Sequence, residues 1–180
     1  MVDLVYADPP WEQGKGGKKR VRPNSSGKPL DYSTLPVEKI KEILVQEEFQ
    51  GRILFLWTID KYLCPAQKMA EEMGYHLHAR LIWDKVTGIP AAFTVRFAHE
   101  YLLWFYKKPF ISVAKETRGR YTTVFREQVT KHSKKPNIAY EIIESFYPNL
   151  TKLELFARNY RAGWQSFGNQ LPQTIPLKDE

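Results

Sequence analysis

Near its start the sequence reads Leu4-Val5-Tyr6-Ala7-Asp8-Pro9-Pro10-Trp11, an apolar strand running straight into an acid, two prolines and a tryptophan. Each proline ring fixes φ and removes a backbone donor, so the turn is stiff and is expected to present free carbonyl oxygens beside the Asp8 carboxylate. The exocyclic amino group of a flat base has two N–H donors for such acceptors, and the face of Trp11 offers a surface for stacking. Adenine fits that description. An acid followed by two prolines also ends ordinary strands, so a plain turn stays open as the alternative.

Residues 12–31 follow as a Gly/Ser/Pro-rich stretch carrying Lys15, Lys18, Lys19, Arg20, Arg22 and Lys28. Beside the motif, such a loop can grip a phosphate backbone; the alternative is a merely solvated loop. Val37, Ile40, Ile43 and Leu44 then recur at helical spacing, and Ile53 to Thr58 is a continuous apolar run of the kind buried on both faces of a parallel sheet. Pro65 opens a second helix through Ala66, Met69, Ala70 and Met73, which Gly74 is suited to end. Tyr75 to Trp83 alternates, with Tyr75, Leu77, Ala79, Leu81 and Trp83 on one face and His76, His78 and Arg80 on the other. Without acidic or cysteine ligands at matching spacing the two histidines read as an exposed face, and no metal site is expected.

Residues 85–97 read as a loop. Tyr101 to Tyr106 reads as an aromatic strand antiparallel to the one before it, and Lys115 to Lys135 as a polar, basic connection. Ile138, Ile142, Ile143 and Phe146 mark a third helix that Pro148 stops. A strand at Lys152–Phe156 brings Arg158 to its carboxyl end, and Gly163-Trp164 begins a last extended piece ending at Gly168-Asn169-Gln170. Strands alternating with helices imply an α/β fold, a mostly parallel sheet with helices on both faces and an antiparallel edge. Ligands of such sheets sit at the carboxyl ends of the strands, and the strands that precede Asp8 and Arg158 are expected to be neighbours at the switch point.

The 180 residues, 43% hydrophobic and 14% aromatic, suffice for a single domain over 1–170 with a frayed tail over 171–180. A formal charge of +7 and a pI near 9.4 favour polyanionic partners. Apolar runs fall short of membrane-spanning length and the start lacks a signal-peptide layout, so a cytoplasmic protein without membrane contact is expected. Cys64, the one cysteine, excludes an internal disulfide and reads as a small core filler.

Asp8-Pro9-Pro10-Trp11 resembles the catalytic motif of the MT-A70-like family of S-adenosylmethionine-dependent adenine N6-methyltransferases. Lys135-Pro136 before a helix, Glu154-Leu155-Phe156-Ala157-Arg158, Gly163-Trp164 and Gly168-Asn169-Gln170 resemble the same family's cofactor half, in the permuted order with the catalytic motif first and the cofactor segment last. The resemblance runs from Tyr6 to Gln170 and implies a Rossmann-like methyltransferase fold. Carried over, it makes Asp8, Pro9, Pro10 and Trp11 catalytic. It makes Asp8, Lys135, Glu154, Arg158, Asn169 and Gln170 the binders of S-adenosylmethionine, with Glu154 shaping the pocket from its strand. Tyr32 and Glu100 fall at substrate-side positions, joined by Lys18, Lys19, Arg20 and Arg22 of the basic loop. Asn159-Tyr160-Arg161 departs from the family's pattern, and the family's strand upstream of the catalytic one is expected to be missing, leaving part of the cofactor pocket more open.

The absence of a glycine-rich phosphate loop agrees with a cofactor that has no phosphate. The expected activity is methyl transfer to N6 of adenine in nucleic acid, DNA rather than RNA, with a homodimer or partner subunit possible. Kept beside it are an RNA adenine methyltransferase, a non-catalytic nucleic-acid-binding subunit, and a methyltransferase for a small molecule or protein.

Overall fold

The structure, a computed structural model, describes residues 2–12, 34–86, 95, 97–129, 134–169 and 171. The expectations for the basic loop, Tyr32, Gln170 and the tail beyond Leu171 lie outside the described residues. Within them a seven-stranded sheet has the order β5-β3-β4-β2-β1-β6-β7. Its central strands are β1 (Leu4–Ala7) and β2 (Ile53–Thr58), buried at every position because helices cover both faces.

On one face lie α1 (Val37–Leu44), through Ile40 and Leu44, and α2 (Leu63–Glu72), through Ala66, Met69 and Ala70. Val5, Ala7, Leu54 and Leu56 point to them. On the other face α3 (Asn137–Phe146) sets Ala139, Ile142, Ile143 and Phe146 against Leu4, Tyr6, Phe55 and Trp57. Cys64 is exposed rather than a core filler, because the sheet-facing side of α2 is taken by Ala66, Met69 and Ala70.

β1 pairs in parallel with β2 on one side and with β6 (Lys152–Leu155) on the other, so the strands before Asp8 and Arg158 are neighbours. The connections diverge there: α1 and α2 serve one face and α3 the other. This is the switch point at which open α/β sheets bind ligands. β7 (Gln165–Phe167) adds in parallel to β6.

The antiparallel element departs from the expected edge position. Among the described strands β4 (His99–Tyr106) alone runs against the rest, and it lies inside the sheet, paired with β2 from Ile53↔Tyr106 to Thr58↔Tyr101. β3 (His76–Asp84) pairs with β4, and β5 (Val124–Arg126) adds in parallel beyond it. The long ladder to β2, fully buried, holds β4 inside. β5 falls within the stretch read as a connection; at three residues with only Phe125 buried, it has too little periodicity to read.

The expected face assignment of β3 also changes. A register shift between Leu77 and Ala79 leaves Tyr75 and Leu77 on the α1/α2 face and turns Ala79, Leu81 and Trp83 toward the opposite layer. An extra residue in one strand reverses the alternation after it.

β6 ends at Leu155; the next residue, Phe156, has a φ of 61° in the left-handed region, and the chain returns through β7 so that Ala157 N–H donates to Phe167 O at 3.0 Å. A Cβ on Gly168 would lie 2.2 Å from the Ala157 carbonyl oxygen and 2.6 Å from its nitrogen, so only glycine lets the segments approach this closely. Gly168→Ala should destabilise the fold by about 1–3 kcal/mol in urea denaturation, the range of overpacked sites. A variant as stable as the parent would show that this approach is not needed.

Candidate active site at the switch point

Asp8 continues the β1–β6 pairing through its amide, which donates to Leu155 O at 3.4 Å, and Pro9, having no N–H, ends it. The carbonyls beyond are engaged rather than free. Pro9 O accepts Trp11 N–H at 2.8 Å in a three-residue turn, and Pro10 O accepts Leu35 N–H at 2.8 Å where Trp11 and Leu35 form a bridge.

Trp11 differs most from its expected role. It is 5% exposed, stacks on Tyr62 with ring centroids 5.2 Å apart, and donates its indole N–H to Trp57 O at 2.9 Å. Tyr62 in turn donates its hydroxyl to Glu12 O. The ring braces the turn and presents no open face for a base, because burying it against Tyr62 fixes both ends of the Asp8 turn.

Asp8 instead meets charge. Lys135 Nζ lies 3.0 Å from Asp8 Oδ1 and 2.7 Å from Glu100 Oε2, and the other Glu100 oxygen pairs with Lys85. None of these four side chains is more than 19% exposed. Burial pushes the Asp8 carboxyl up and Lys135 pulls it back, leaving it above its ordinary value. Burial would raise Glu100 as well, but Lys135 and Lys85 outweigh it and hold it low. Lys135 is kept protonated: burial disfavours its charge, and Asp8 and Glu100 more than compensate. Glu100, expected on the substrate side, has both oxygens engaged by lysines. Lys85 was missed; a lysine directly after Trp83-Asp84 at a strand end is the signal that could have found it.

On the other side of Asp8 opens a cavity of about 520 Å³. Its floor is the ends of β1 and β6, with Asp8, Leu155 and Phe156; Arg158, Gly168 and Asn169 close one side. The opposite wall is apolar, Leu35, Ile43 and Phe49, with the polar Gln46 among them. Phe49 meets Phe167, which also lines the cavity, at 4.6 Å between centroids. Three groups singled out by sequence, Asp8, Arg158 and Asn169, thus share one cavity. Its α1-side wall carries no motif and was not legible.

Lys135, engaged by Asp8 and Glu100, does not line the cavity as a cofactor residue would, and neither does Glu154. Strand alternation turns it to the α3 face, where it accepts the Tyr140 hydroxyl at 2.8 Å and lies beside the buried Tyr6. Burial, opposed by the Tyr140 hydrogen bond and reinforced by Asp8, raises its carboxyl to about 7. Arg161 is committed to α3, with Nε 2.6 Å and Nη2 3.0 Å from the two Glu144 oxygens and Nη1 3.0 Å from Asn137 Oδ1. Lys18, Lys19, Arg20, Arg22, Tyr32 and Gln170 are outside the described residues. Among the described residues no group of three His, Cys, Asp or Glu could hold a metal ion, and no helix is long and apolar enough to cross a membrane.

The sequence model of the MT-A70 family matches residues 2–170. The chain is 29% identical to the Type II methyltransferase M.MunI of Mycoplasma sp, over 98% of this chain and 82% of that protein. It is 27% identical to the N(6)-adenosine-methyltransferase MT-A70-like of Arabidopsis thaliana and 24% identical to the N(6)-adenosine-methyltransferase catalytic subunit METTL3 of Homo sapiens. Those alignments cover 93% of this chain but 23% and 28% of the relatives, so it spans about a quarter of their length.

The Glu154 carboxyl yields a pH-dependent stability. Its folded value of about 7 lies above the ordinary 4.5, so between those pH values the folded state holds the proton more tightly than the unfolded one. Stability therefore falls as pH rises through this window, and the full penalty, up to about 3 kcal/mol, applies above it. Glu154→Gln keeps an acceptor for Tyr140 and removes the charge. Urea denaturation from pH 5 to pH 8 should show the variant gaining on the parent as pH rises; a pH-independent difference would contradict the assignment.

Proposed function

Because the chain belongs to the MT-A70 family, whose sequence model spans residues 2–170, we propose that it transfers a methyl group from S-adenosylmethionine to the exocyclic N6 amine of adenine in nucleic acid, DNA in preference to RNA. The observation that carries this reading is the placement of Asp8 between the lysine-braced charge cluster and the cavity at the β1/β6 switch point. DNA is favoured because the similarity extends over most of a bacterial Type II methyltransferase but only about a quarter of the eukaryotic N(6)-adenosine-methyltransferases. An adenosine-directed RNA enzyme is the second reading, favoured by the names of those relatives.

The cavity residues fit this cofactor. Phe156 and the Phe49–Phe167 pair provide apolar and aromatic surface for a nucleoside base, Arg158 and Asn169 supply polar groups beside it, and Gly168 keeps backbone close. When bound, S-adenosylmethionine supplies the electrophilic methyl group.

The chain's own residues then act on the target amine, a poor nucleophile because its lone pair is delocalised into the ring. The Asp8 carboxylate accepts an N–H of that amine, and Pro9 O, with one lone pair engaged by Trp11, keeps a second for the other. Two accepted bonds localise the amine lone pair and stabilise positive charge as it develops. Lys135 holds Asp8 in place and counters the rise that burial imposes on it. Asp8 need not be a strong base, since the amine becomes acidic once methylated and its proton can pass to the carboxylate. Trp11, buried under the turn, holds the Pro9 and Pro10 geometry.

Asp8→Ala should lower kcat by at least about 100-fold, the scale of removing one preorganised electrostatic partner. Arg158→Ala and Asn169→Ala should weaken S-adenosylmethionine binding in calorimetry. Methylation of matched DNA and RNA oligonucleotides, read by mass spectrometry of the digested nucleosides, should give N6-methyladenine with DNA favoured. Methyl transfer only to cytosine, a protein or a small molecule would refute the assignment.

We also infer that the basic stretch with Lys18, Lys19, Arg20 and Arg22 holds phosphates, given that Trp11 and Leu35, which flank it, are paired beside Asp8. Replacing all four by alanine should weaken binding to every sequence alike and lower the log–log salt slope by roughly 3 to 4 units on duplex DNA. A slope equal to that of the parent would exclude this grip.

A further inference from the structure

Lys135 stands two residues before α3, a helix whose preceding residue, Pro136, caps nothing with its side chain. The first N–H groups of a helix need acceptors from elsewhere. They come from Glu127, ten residues upstream: one carboxylate oxygen accepts Asn137 N–H at 2.9 Å and the other accepts Ile138 N–H at 3.0 Å. A carboxylate there also complements the positive end of the helix.

Glu127 is itself fixed to the sheet. Its amide donates to Asp84 O at 3.3 Å, one residue past the β3–β5 ladder, and its carbonyl accepts the indole N–H of Trp83 at 2.7 Å. Trp83 is 3% exposed, so this anchor is rigid. Asp84 and Trp83 lead directly into Lys85, the other cation on Glu100. One residue thus ties together the β3 end that presents Lys85 and the helix start that presents Lys135.

We propose that Glu127 is a positioning residue for methyl transfer: by clamping the first turn of α3 to the end of β5 it sets Lys135 between Asp8 and Glu100. This rests on the reading of Asp8 as the acceptor of the target amine. α3 does not depend on Glu127 alone for its place. Arg161 pairs with Glu144 and Asn137, and Ala139, Ile142, Ile143 and Phe146 are buried against the sheet, so a variant at 127 should fold.

The consequence falls on Asp8. Its carboxyl is pushed up by burial and by Glu100 on β4, and pulled down by Lys135 before α3 and by Arg158 after β6. Glu154 on β6, Tyr6 on β1 and Tyr140 on α3 also couple to it. If Lys135 loses its place, the strongest downward pull weakens, and the pH below which activity fails moves upward.

The test compares Glu127→Ala, Glu127→Gln and Lys135→Met in the full chain, each checked for a folded thermal transition. The measurements are kcat across pH and S-adenosylmethionine affinity by calorimetry. Glutamine offers one acceptor where two N–H groups converge, so it should fall between alanine and the parent. Glu127→Ala should lower kcat roughly 10- to 100-fold, the scale of a misplaced catalytic group. Its acid limb should move to higher pH, with cofactor affinity unchanged. A folded Glu127→Ala with the parent's kcat and pH profile would overturn the proposal while leaving the Asp8 reading intact, provided Lys135→Met is impaired. If kcat falls without any movement of the acid limb, Glu127 is a structural cap only and the proposal fails. A Lys135→Met variant as active as the parent would overturn the site reading and the proposal together.

Discussion

Lys135 stands between two carboxylates at a place where none of the three can be left uncompensated. Removing one partner of a buried ion pair costs about 3–5 kcal/mol, because the remaining charge keeps its desolvation penalty and loses its counter-charge. Asp8 comes from the end of β1, Glu100 from the start of β4, and Lys135 from the segment before α3. Their meeting ties three separate parts of the chain to one point above the sheet. Lys85 completes the cluster with two positive and two negative groups. Within that balance Lys135 offsets part of the rise that burial imposes on the Asp8 carboxyl.

The sheet makes this meeting possible. β1 is flanked by β2 and β6, and the chain leaves β1 toward one face and reaches β6 by way of the other. A gap at the carboxyl ends follows from that divergence, and the cavity occupies it. Trp11 and Tyr62 brace the turn beside it. A large aromatic stacked on another and hydrogen-bonded to Trp57 O fixes the turn that follows Asp8, so the carboxylate is backed by a buried frame. On the opposite face Arg161 and Glu144 do the same for the turn between β6 and β7, and the close approach at Gly168 holds that turn against β6.

The sequence alone determined what depends on local chemistry and short-range pattern. Proline at 9 and 10 must end a strand, apolar runs at 4–7 and 53–58 must be covered on both faces, and the helical spacing of Ile138, Ile142, Ile143 and Phe146 must face a sheet. The alternation of strands and helices made the end of β6 a partner for the end of β1 and put Asp8 and Arg158 there, while Lys135 and Asn169 were named only by resemblance to the family's motifs. Only the tertiary structure decided which surface each side chain reached. Trp11 has the composition of a stacking platform, yet its face is buried because Tyr62, 51 residues further along the chain, comes to lie against it. Glu154 sits in a recognisable string, yet alternation turns it from the cavity toward Tyr140. One bulge reversed the faces of β3, and the ladder to β2 set β4 inside the sheet. Glu127 lies in a stretch without periodicity, and its function as a cap exists only once β5 has paired with β3. Local sequence fixes φ, ψ and period, whereas burial, ion pairing and capping depend on distances between residues far apart in the chain, which only the packed layers bring within a few ångströms.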